Sequence, residues 1–460
     1  MKISKCAYKA FALMNKVVLT TALLIVMAIS PASAASEVQT ASIQFLCALG
    51  DILAYDSQLN GVIRTVSSHF GYDLTEYNNQ NKKANANFFI FKSREPDKVL
   101  GRYVNIVAIP GTEKLKDVEV DLRLGKVLFG GASPEEFAEL ARTQDVKSNQ
   151  PLVHRGFNDY TQTAFFTKKD DGSMGVDYIF DLAESDKDQV ILTGHSLGGA
   201  VSVLLGCRLE AMGMDPNGIE VVTFGAPAVG NQVFADMYGK KLNHTRYTMS
   251  GDPVQYMLQM LKSGYVQTGN EVKCKRNANS HRFSHSMSEY LDYSIRNYLD
   301  ALDKAGIQLK VIAPQTDNTD QFSLRKEMFA DRVYMCPAVI DLPDDIINDK
   351  DYMMQLSDIM SCYGFKEAVD GVEEKYADQM REARKQQCGR ISHVTIDAKL
   401  LKKHVYQVTV NEELTDAYGN VVSTQTCGTT TDNISPLEAV FFGLSRCSMN
   451  RKAADELKTE

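Results

Sequence analysis

The hydrophobic rhythm changes several times along the chain. Between residues 42 and 70, Phe45, Leu46, Leu49, Ile52 and Leu53 recur at helical spacing, which predicts an amphipathic helix. Residues 77–87 are polar and rich in asparagine, the composition of a loop. Short apolar runs at 88–91, 102–109, 190–192, 221–224 and 245–249 read as strands. An apolar run at 199–212 reads as a buried helix. At 287–302, Tyr290, Leu291, Ile295, Tyr298, Leu299 and Leu302 share one side of a further helix. Strands alternating with helices predict an α/β class with a mostly parallel central sheet.

The pattern shifts after about residue 305. A helical rhythm returns at 345–385. Then Tyr406, Val408 and Val410 alternate with Val405, Gln407 and Thr409, the period of a half-buried strand. Residues 417–420 read as a turn and 421–426 as the partner strand. Ser435-Pro436-Leu437-Glu438 opens a last helix, with a capping-box pair and proline at the first helical position. The expected organisation is a leader at 1–34, an α/β domain at 35–305, and a mixed α+β C-terminal extension at 306–460. The extension carries no recognisable catalytic motif.

The leader follows from charge and length. Lys2, Lys5, Lys9 and Lys16 precede an apolar run at 17–29, and Ala32-Ser33-Ala34 is a small-x-small site. This is the layout of a secretory signal peptide cleaved near Ala34, and the run is too short for a span of about 20 residues. A secreted or periplasmic protein with no stable membrane insertion is expected. The chain has 50 basic and 58 acidic residues, a net charge of −8, and losing the leader makes it more acidic. That balance argues against a nucleic-acid partner.

Eight cysteines lie beyond the leader: Cys47, Cys207, Cys274, Cys336, Cys362, Cys388, Cys427 and Cys447. None forms a C-x-x-C pair, so no metal site is expected. Cys207 lies in the apolar helical run and reads as a buried free thiol. Five of the eight lie beyond residue 330, where at least one disulfide is expected, with Cys427–Cys447 and Cys362–Cys388 as candidate pairs.

Chemistry concentrates at Gly194-His195-Ser196-Leu197-Gly198, a G-x-S-x-G placed between a predicted strand and a predicted helix. There the chain turns abruptly and presents the serine hydroxyl, and the glycines let strand and helix approach. A serine hydroxyl needs a base, and the base needs an orienting carboxylate. Asp252, before Pro253, stands just past the predicted strand at 245–249. His281 and His285 compete for the base. His285 immediately precedes the 287–302 helix, which can hold it, whereas His281 follows a polar stretch. Oxyanion donors are expected from the Leu197 amide and from Thr112, in the turn after the strand at 102–109. His195 reads as structural.

Several separate stretches resemble the class 3 lipases, the fungal-lipase-like α/β-hydrolases. They are Pro110-Gly111-Thr112 with Asp117, Asp121 and Leu122; Val153-His154-Arg155-Gly156-Phe157; Gly194 to Ala200; Phe224-Gly225-Ala226-Pro227 with Gly230 and Asn231; Asp252-Pro253-Val254; and His285 with Tyr290-Leu291. The resemblance implies the α/β-hydrolase fold, with Ser196 as nucleophile, Asp252 as acid, His285 as base, and Thr112 with Leu197 as oxyanion hole. It implies no cofactor and a lipid or other small ester substrate, hence a lipase or esterase. Phospholipase A1 and a polysaccharide-side-chain esterase are alternatives on the same machinery, and a non-catalytic binding protein with a hydrolase shell is the rival of another class. Two positions depart from the family: Pro110 replaces an arginine and Val118 a tryptophan. In the stretch where such lipases carry a lid, Val118, Val120, Leu122 and Leu124 alternate with Glu119, Asp121 and Arg123. Period two predicts a strand-like segment with little apolar face for an interface, and weak interfacial activation.

Overall fold

The computed structural model describes residues 32–53, 60–79, 86–97, 101–111, 125–169, 171–183, 187–261, 264–306, 332–362, 364–365, 367–372 and 375–456. They fall into two compact units, one of residues 40–295 and one joining the residues up to 39 to those from 296 onward. The predicted leader lies outside the described residues except at its end, where a helix starts at Ala32 and runs to Leu53.

The unit of residues 40–295 is built on a seven-stranded sheet. Its strands are β1 (Tyr72–Asn79), β2 (Ala86–Ser93), β3 (Tyr103–Ile109), β6 (Asp188–His195), β7 (Ile219–Phe224), β8 (Asn243–Met249) and β9 (Asn270–Cys274), in the order β1-β2-β3-β6-β7-β8-β9. β1–β2 and β2–β3 pair antiparallel, and every pair from β3 to β9 is parallel. β4 (Lys126–Leu128) and β5 (Leu152–His154) form a separate antiparallel pair. This is the α/β-hydrolase arrangement. The inner strands read as continuous apolar runs because both faces are covered: six of the seven residues of β3 and seven of the eight of β6 are buried. Helices Arg155–Phe165 and Leu197–Ala211 join the main core, where Phe157, Phe165, Leu204 and Leu209 pack with Val190, Leu192 and Val221 of the sheet.

Residues 77–87 were expected to be a loop, yet Tyr77 to Asn79 end β1 and Ala86 and Asn87 begin β2. β1 is an edge strand. Pairing with β2 satisfies one side of its backbone, and Tyr77 stacks on Phe88 at 4.4 Å. Cross-strand packing makes this segment a strand against its polar composition.

The second unit has its own mixed sheet. It contains β10 (Arg332–Met335), β11 (Val339–Asp341), β12 (Glu367–Asp370), β13 (Arg390–Lys402), β14 (Val405–Asp416) and β15 (Val421–Thr430). The continuous helical rhythm expected at 345–385 is broken, because β12 separates helix Lys350–Ser361 from helix Tyr376–Lys385. The expected alternation holds in β14, where Tyr406, Val408 and Val410 are buried between partly exposed neighbours. The capping box also forms. Glu438 N donates to Ser435 Oγ at 3.0 Å, and Ser435 N donates to Glu438 Oε2 at 2.5 Å.

None of the eight cysteines among the described residues is in a disulfide. The candidate pair Cys362–Cys388 is excluded by the pleat of β10. Tyr334 and Cys336 face the cluster that holds Cys388, while Val333 and Met335 face the cluster against which Cys362 packs. The two thiols lie on opposite faces of one sheet. Cys427 and Cys447, from β15 and the last helix Pro436–Glu456, do meet, with sulfurs 3.8 Å apart.

One buried ion pair holds that last helix to the sheet. Arg451 Nη1 lies 2.7 Å from Glu412 Oε1 of β14, with side chains only 6% and 4% exposed. Burial pushes the Glu412 carboxyl up, and Arg451 pulls it back. Removing only the cation strands a buried carboxylate. Arg451→Ala is therefore expected to destabilise this unit by about 3–5 kcal/mol. Denaturant unfolding of the variant against the parent measures it.

Candidate active site

The site assembles at the carboxyl ends of the parallel strands, where successive chain reversals bring loops together. β6 ends at His195, and helix Leu197–Ala211 begins two residues later. Ser196 between them has φ 55° and ψ −122°, a left-handed conformation that only its surroundings can impose. Close packing imposes it. A side chain at Gly194 would lie 2.2 Å from the Gly198 carbonyl carbon, and one at Gly198 would lie 2.2 Å from the Ile109 carbonyl oxygen. No residue but glycine fits either position. The Ser196 N–H donates to the Phe224 carbonyl at 3.0 Å, tying the turn to β7.

Asp252 stands three residues past β8. Its N–H donates to the Met249 carbonyl at 3.1 Å, and its Oδ1 accepts from the Val254 N–H at 2.8 Å. This local turn leaves Oδ2 free to face the site. Oδ2 lies 2.8 Å from His285 Nδ1 and accepts from the Tyr290 hydroxyl at 2.5 Å. His285 Nε2 lies 2.9 Å from Ser196 Oγ. Serine, imidazole and carboxylate thus form one hydrogen-bonded line, with Asp252 2% and His285 1% exposed.

Three devices hold this line. Tyr290, on helix Met287–Lys304, donates to Asp252 and accepts from the Met249 N–H at 3.0 Å. Burial, and then the Asp252 charge, push the Tyr290 phenol well up and keep its proton. The histidine loop is clamped by Glu289, which is 2% exposed and pairs with Arg276 Nε at 3.1 Å and Arg282 Nε at 2.7 Å. Ser280 also donates to Glu289, and Ser284 Oγ donates to the Gly251 carbonyl at 2.6 Å. Finally, His195 Nε2 donates to the His285 carbonyl at 2.8 Å. Burial, and then the neighbouring His285, hold His195 well below the usual histidine range. It stays neutral, so no second charge opposes a cation on His285.

Of the two competing histidines, the structure brings His285 to Ser196 and Asp252 and leaves His281 exposed on the clamped loop. His154 caps helix Arg155–Phe165 by accepting from the Phe157 N–H at 3.4 Å. Leu197 opens its helix, so its N–H has no intrahelical acceptor and points out of the helix end beside Ser196. Thr112 and the alternating stretch at 118–124 lie outside the described residues. The residues just beyond, Lys126–Leu128, form a strand. In the sequence, Tyr290 is an apolar helix position and part of a stretch that resembles the class 3 lipases. Spacing could not reveal that its hydroxyl reaches Asp252. Among the described residues, no group of three or more His, Cys, Asp or Glu side chains could hold a metal ion.

Residues 106–261 match the family model of class 3 lipases. The secreted mono- and diacylglycerol lipase A of Penicillium cyclopium is 31% identical over 90 residues, 20% of this chain and 28% of that protein. A relative from Saccharomyces cerevisiae is 28% identical over 137 residues, 28% of this chain and 38% of its own length. The chain thus spans well under half the length of these relatives. Among solved structures, the Lip2 lipase of Yarrowia lipolytica is similar at 24% identity and TM-score 0.33, covering 44% of this chain and 66% of that one. The Rhizomucor miehei lipase propeptide complex is similar at 15% identity and TM-score 0.37, covering 56% and 79%.

Gly225 offers a test of this geometry that needs no substrate. It has φ +57°, and a side chain there would lie 2.6 Å from Asp252 Oδ2 and 3.1 Å from His285 Nδ1. Gly225→Ala is expected to push Asp252 aside and break the Asp252–His285 bond. The low-field proton signal of a hydrogen-bonded imidazole is expected in the NMR spectrum of the parent and is expected to be absent from that of the variant.

Proposed function

As residues 106–261 belong to the class 3 lipase family, we propose that the protein is a serine ester hydrolase acting on acylglycerols through an acyl-enzyme. The line from Ser196 Oγ through His285 to Asp252, at 2.9 and 2.8 Å, carries this reading. Ser196 attacks the ester carbonyl while His285 Nε2 takes its proton. Asp252 holds Nδ1 protonated and stabilises the imidazolium. His285 then protonates the leaving alcohol, and water resolves the acyl-enzyme by the same proton route in reverse. The Leu197 N–H faces the developing oxyanion at a helix N-terminus, where negative charge is favoured. Thr112 is proposed as the second donor.

The substrate class rests on the secreted mono- and diacylglycerol lipase among the relatives. Hydrolysis of mono-, di- and triacylglycerols, compared with phospholipids and short p-nitrophenyl esters, is the deciding panel. Activity confined to phospholipids or to sugar-linked esters would overturn the acylglycerol assignment and leave the hydrolase reading standing.

Ser196→Ala is expected to fold normally and lose ester hydrolysis by roughly 10⁶. His285→Ala is expected to match it, and His281→Ala to stay within about tenfold of the parent. Asp252→Asn is expected to cost up to about 10⁴ by holding the wrong imidazole tautomer. A fluorophosphonate label, which needs only an activated serine, reads the same series independently of substrate choice. Labelling retained in Ser196→Ala would overturn the assignment.

We also propose that the protein is exported after cleavage of its leader. In an oxidising compartment, the adjacent Cys427 and Cys447 would close a disulfide between β15 and the last helix. The hydrogen bond from Cys447 already pulls the Cys427 thiol down to about 7, raising its thiolate fraction at neutral pH. The exported protein, denatured without reductant, is expected to titrate two fewer thiols than after reduction. An unchanged count would overturn the pairing.

A further inference from the structure

The hairpin that joins β13 to β14 departs from ordinary turn chemistry. Lys399, Leu400, Leu401, Lys402, Lys403 and His404 form an unbroken exposed run. Leu400 and Leu401 are 50% and 54% exposed. The pairing register slips between Leu400 and Lys402. A regular strand would turn adjacent leucines to opposite faces, whereas the slip leaves both at the tip open to solvent. His404 takes the left-handed position of the turn at φ 59°, where glycine or asparagine is the usual choice. The tip thus carries two apolar side chains among four basic-type residues.

The surroundings leave that charge largely in place. Lys399 is opposite Gln407, Leu400 opposite Tyr406, and Lys402 opposite Val405. On the next strand, Thr429 and Thr430 pair with Val408 and Gln407. The nearby acidic groups are Asp432, which pairs with Lys402 Nζ at 3.0 Å, Asp397 two positions before Lys399 on β13, and Asp345, which accepts from the hydroxyl of Tyr406 opposite Leu400. Of the three lysines, Lys399 and Lys403 make no ion pair among the described residues, so the tip offers two unpaired cations on a chain whose net charge is −8.

We propose that the β13–β14 hairpin docks the protein on anionic lipid surfaces, with Leu400 and Leu401 entering the headgroup boundary and Lys399, Lys402 and Lys403 pairing with lipid phosphates. The combination of apolar tip and flanking cations matches what such a surface recognises. A protein partner is the poorer fit, because a stable protein interface buries roughly 1,200–2,000 Å² with a packed apolar centre, and six residues at a hairpin tip do not supply it. The contact is superficial: among the described residues, no helix is long and apolar enough to cross a membrane. It is also sensitive to salt, since exposed cations act over about one Debye length. The proposal does not rest on the hydrolase reading.

Sedimentation with vesicles tests it, using the Ser196→Ala chain so that no lipid can be hydrolysed. Binding to phosphatidylcholine vesicles containing phosphatidylglycerol is expected to exceed binding to phosphatidylcholine alone by at least about tenfold, because each lysine contributes roughly fivefold. Raised salt is expected to weaken it. The double variant Leu400→Ser/Leu401→Ser and the triple variant Lys399→Glu/Lys402→Glu/Lys403→Glu are each expected to lose most of this binding while keeping the parent's melting temperature. The chain contains no tryptophan, so Leu401→Trp gives a single reporter whose emission is expected to shift to the blue on anionic vesicles only. Equal binding to both vesicle types, unchanged binding in the hairpin variants, or a Leu401→Trp emission that ignores the vesicles would each overturn the proposal. Hydrolysis of a soluble short ester, measured on the same hairpin variants with Ser196 intact, is expected to match the parent. A failure of the hydrolase reading would appear there and leave the vesicle result untouched.

Discussion

The site depends on one strained backbone position. Ser196 is held at a positive φ between a buried strand and a buried helix, a conformation that costs about 1–3 kcal/mol. It persists because Gly194, Gly198 and Gly199 let β6, the helix and the end of β3 come closer than side chains would allow. That approach aims the serine hydroxyl away from the core and leaves the first helical amides facing the same space. Relaxing the strain would need the helix to back away from the sheet, and the core packed beneath it opposes this.

The second requirement is electrostatic. Asp252 is nearly sealed from water, and a buried carboxylate needs hydrogen bonds to offset its lost hydration. Its partners are the Val254 N–H, the Tyr290 hydroxyl and the His285 ring. Each partner also points the carboxylate at the imidazole, so the bonds that make its burial tolerable also orient the base. Gly225 belongs to this arrangement although it donates nothing to it. Its missing side chain is the space that Asp252 Oδ2 and the Tyr290 hydroxyl occupy.

The two imidazoles at the site have different tasks for the same physical reason. His195 is buried and donates to the His285 carbonyl, so it stays neutral and supports the backbone. His285 has the carboxylate on Nδ1, which fixes the ring, and the serine hydroxyl on Nε2, the nitrogen left to meet it. Glu289 keeps the intervening loop in place by gathering two arginines and a serine onto one buried carboxylate. Loop residues thereby gain the positional precision of the sheet and helix beside them.

Much of this was legible in the sequence because it follows from local rules. Apolar runs named the buried parallel strands β3, β6, β7 and β8, since a strand covered on both faces has no polar side to alternate. The glycines of the elbow named Ser196, a proline after a strand named Asp252, and the capping box at Ser435 named the start of the last helix. The order of these motifs was enough to indicate the family. Other features exist only once distant segments meet. β1 is a strand because β2 pairs with it, not because of its asparagines. Helical spacing at Tyr290 announced a core position, while its hydroxyl found Asp252 only across 38 residues of chain. Which of His281 and His285 stands beside the carboxylate follows from the path of the loop, not from any local pattern. The pleat of β10 alone put Cys362 and Cys388 on opposite faces. Periodicity and turn chemistry act over a few residues and can be read in one dimension, whereas hydrogen-bond partners, excluded volume and the faces of a sheet are decided by the packing of the whole chain.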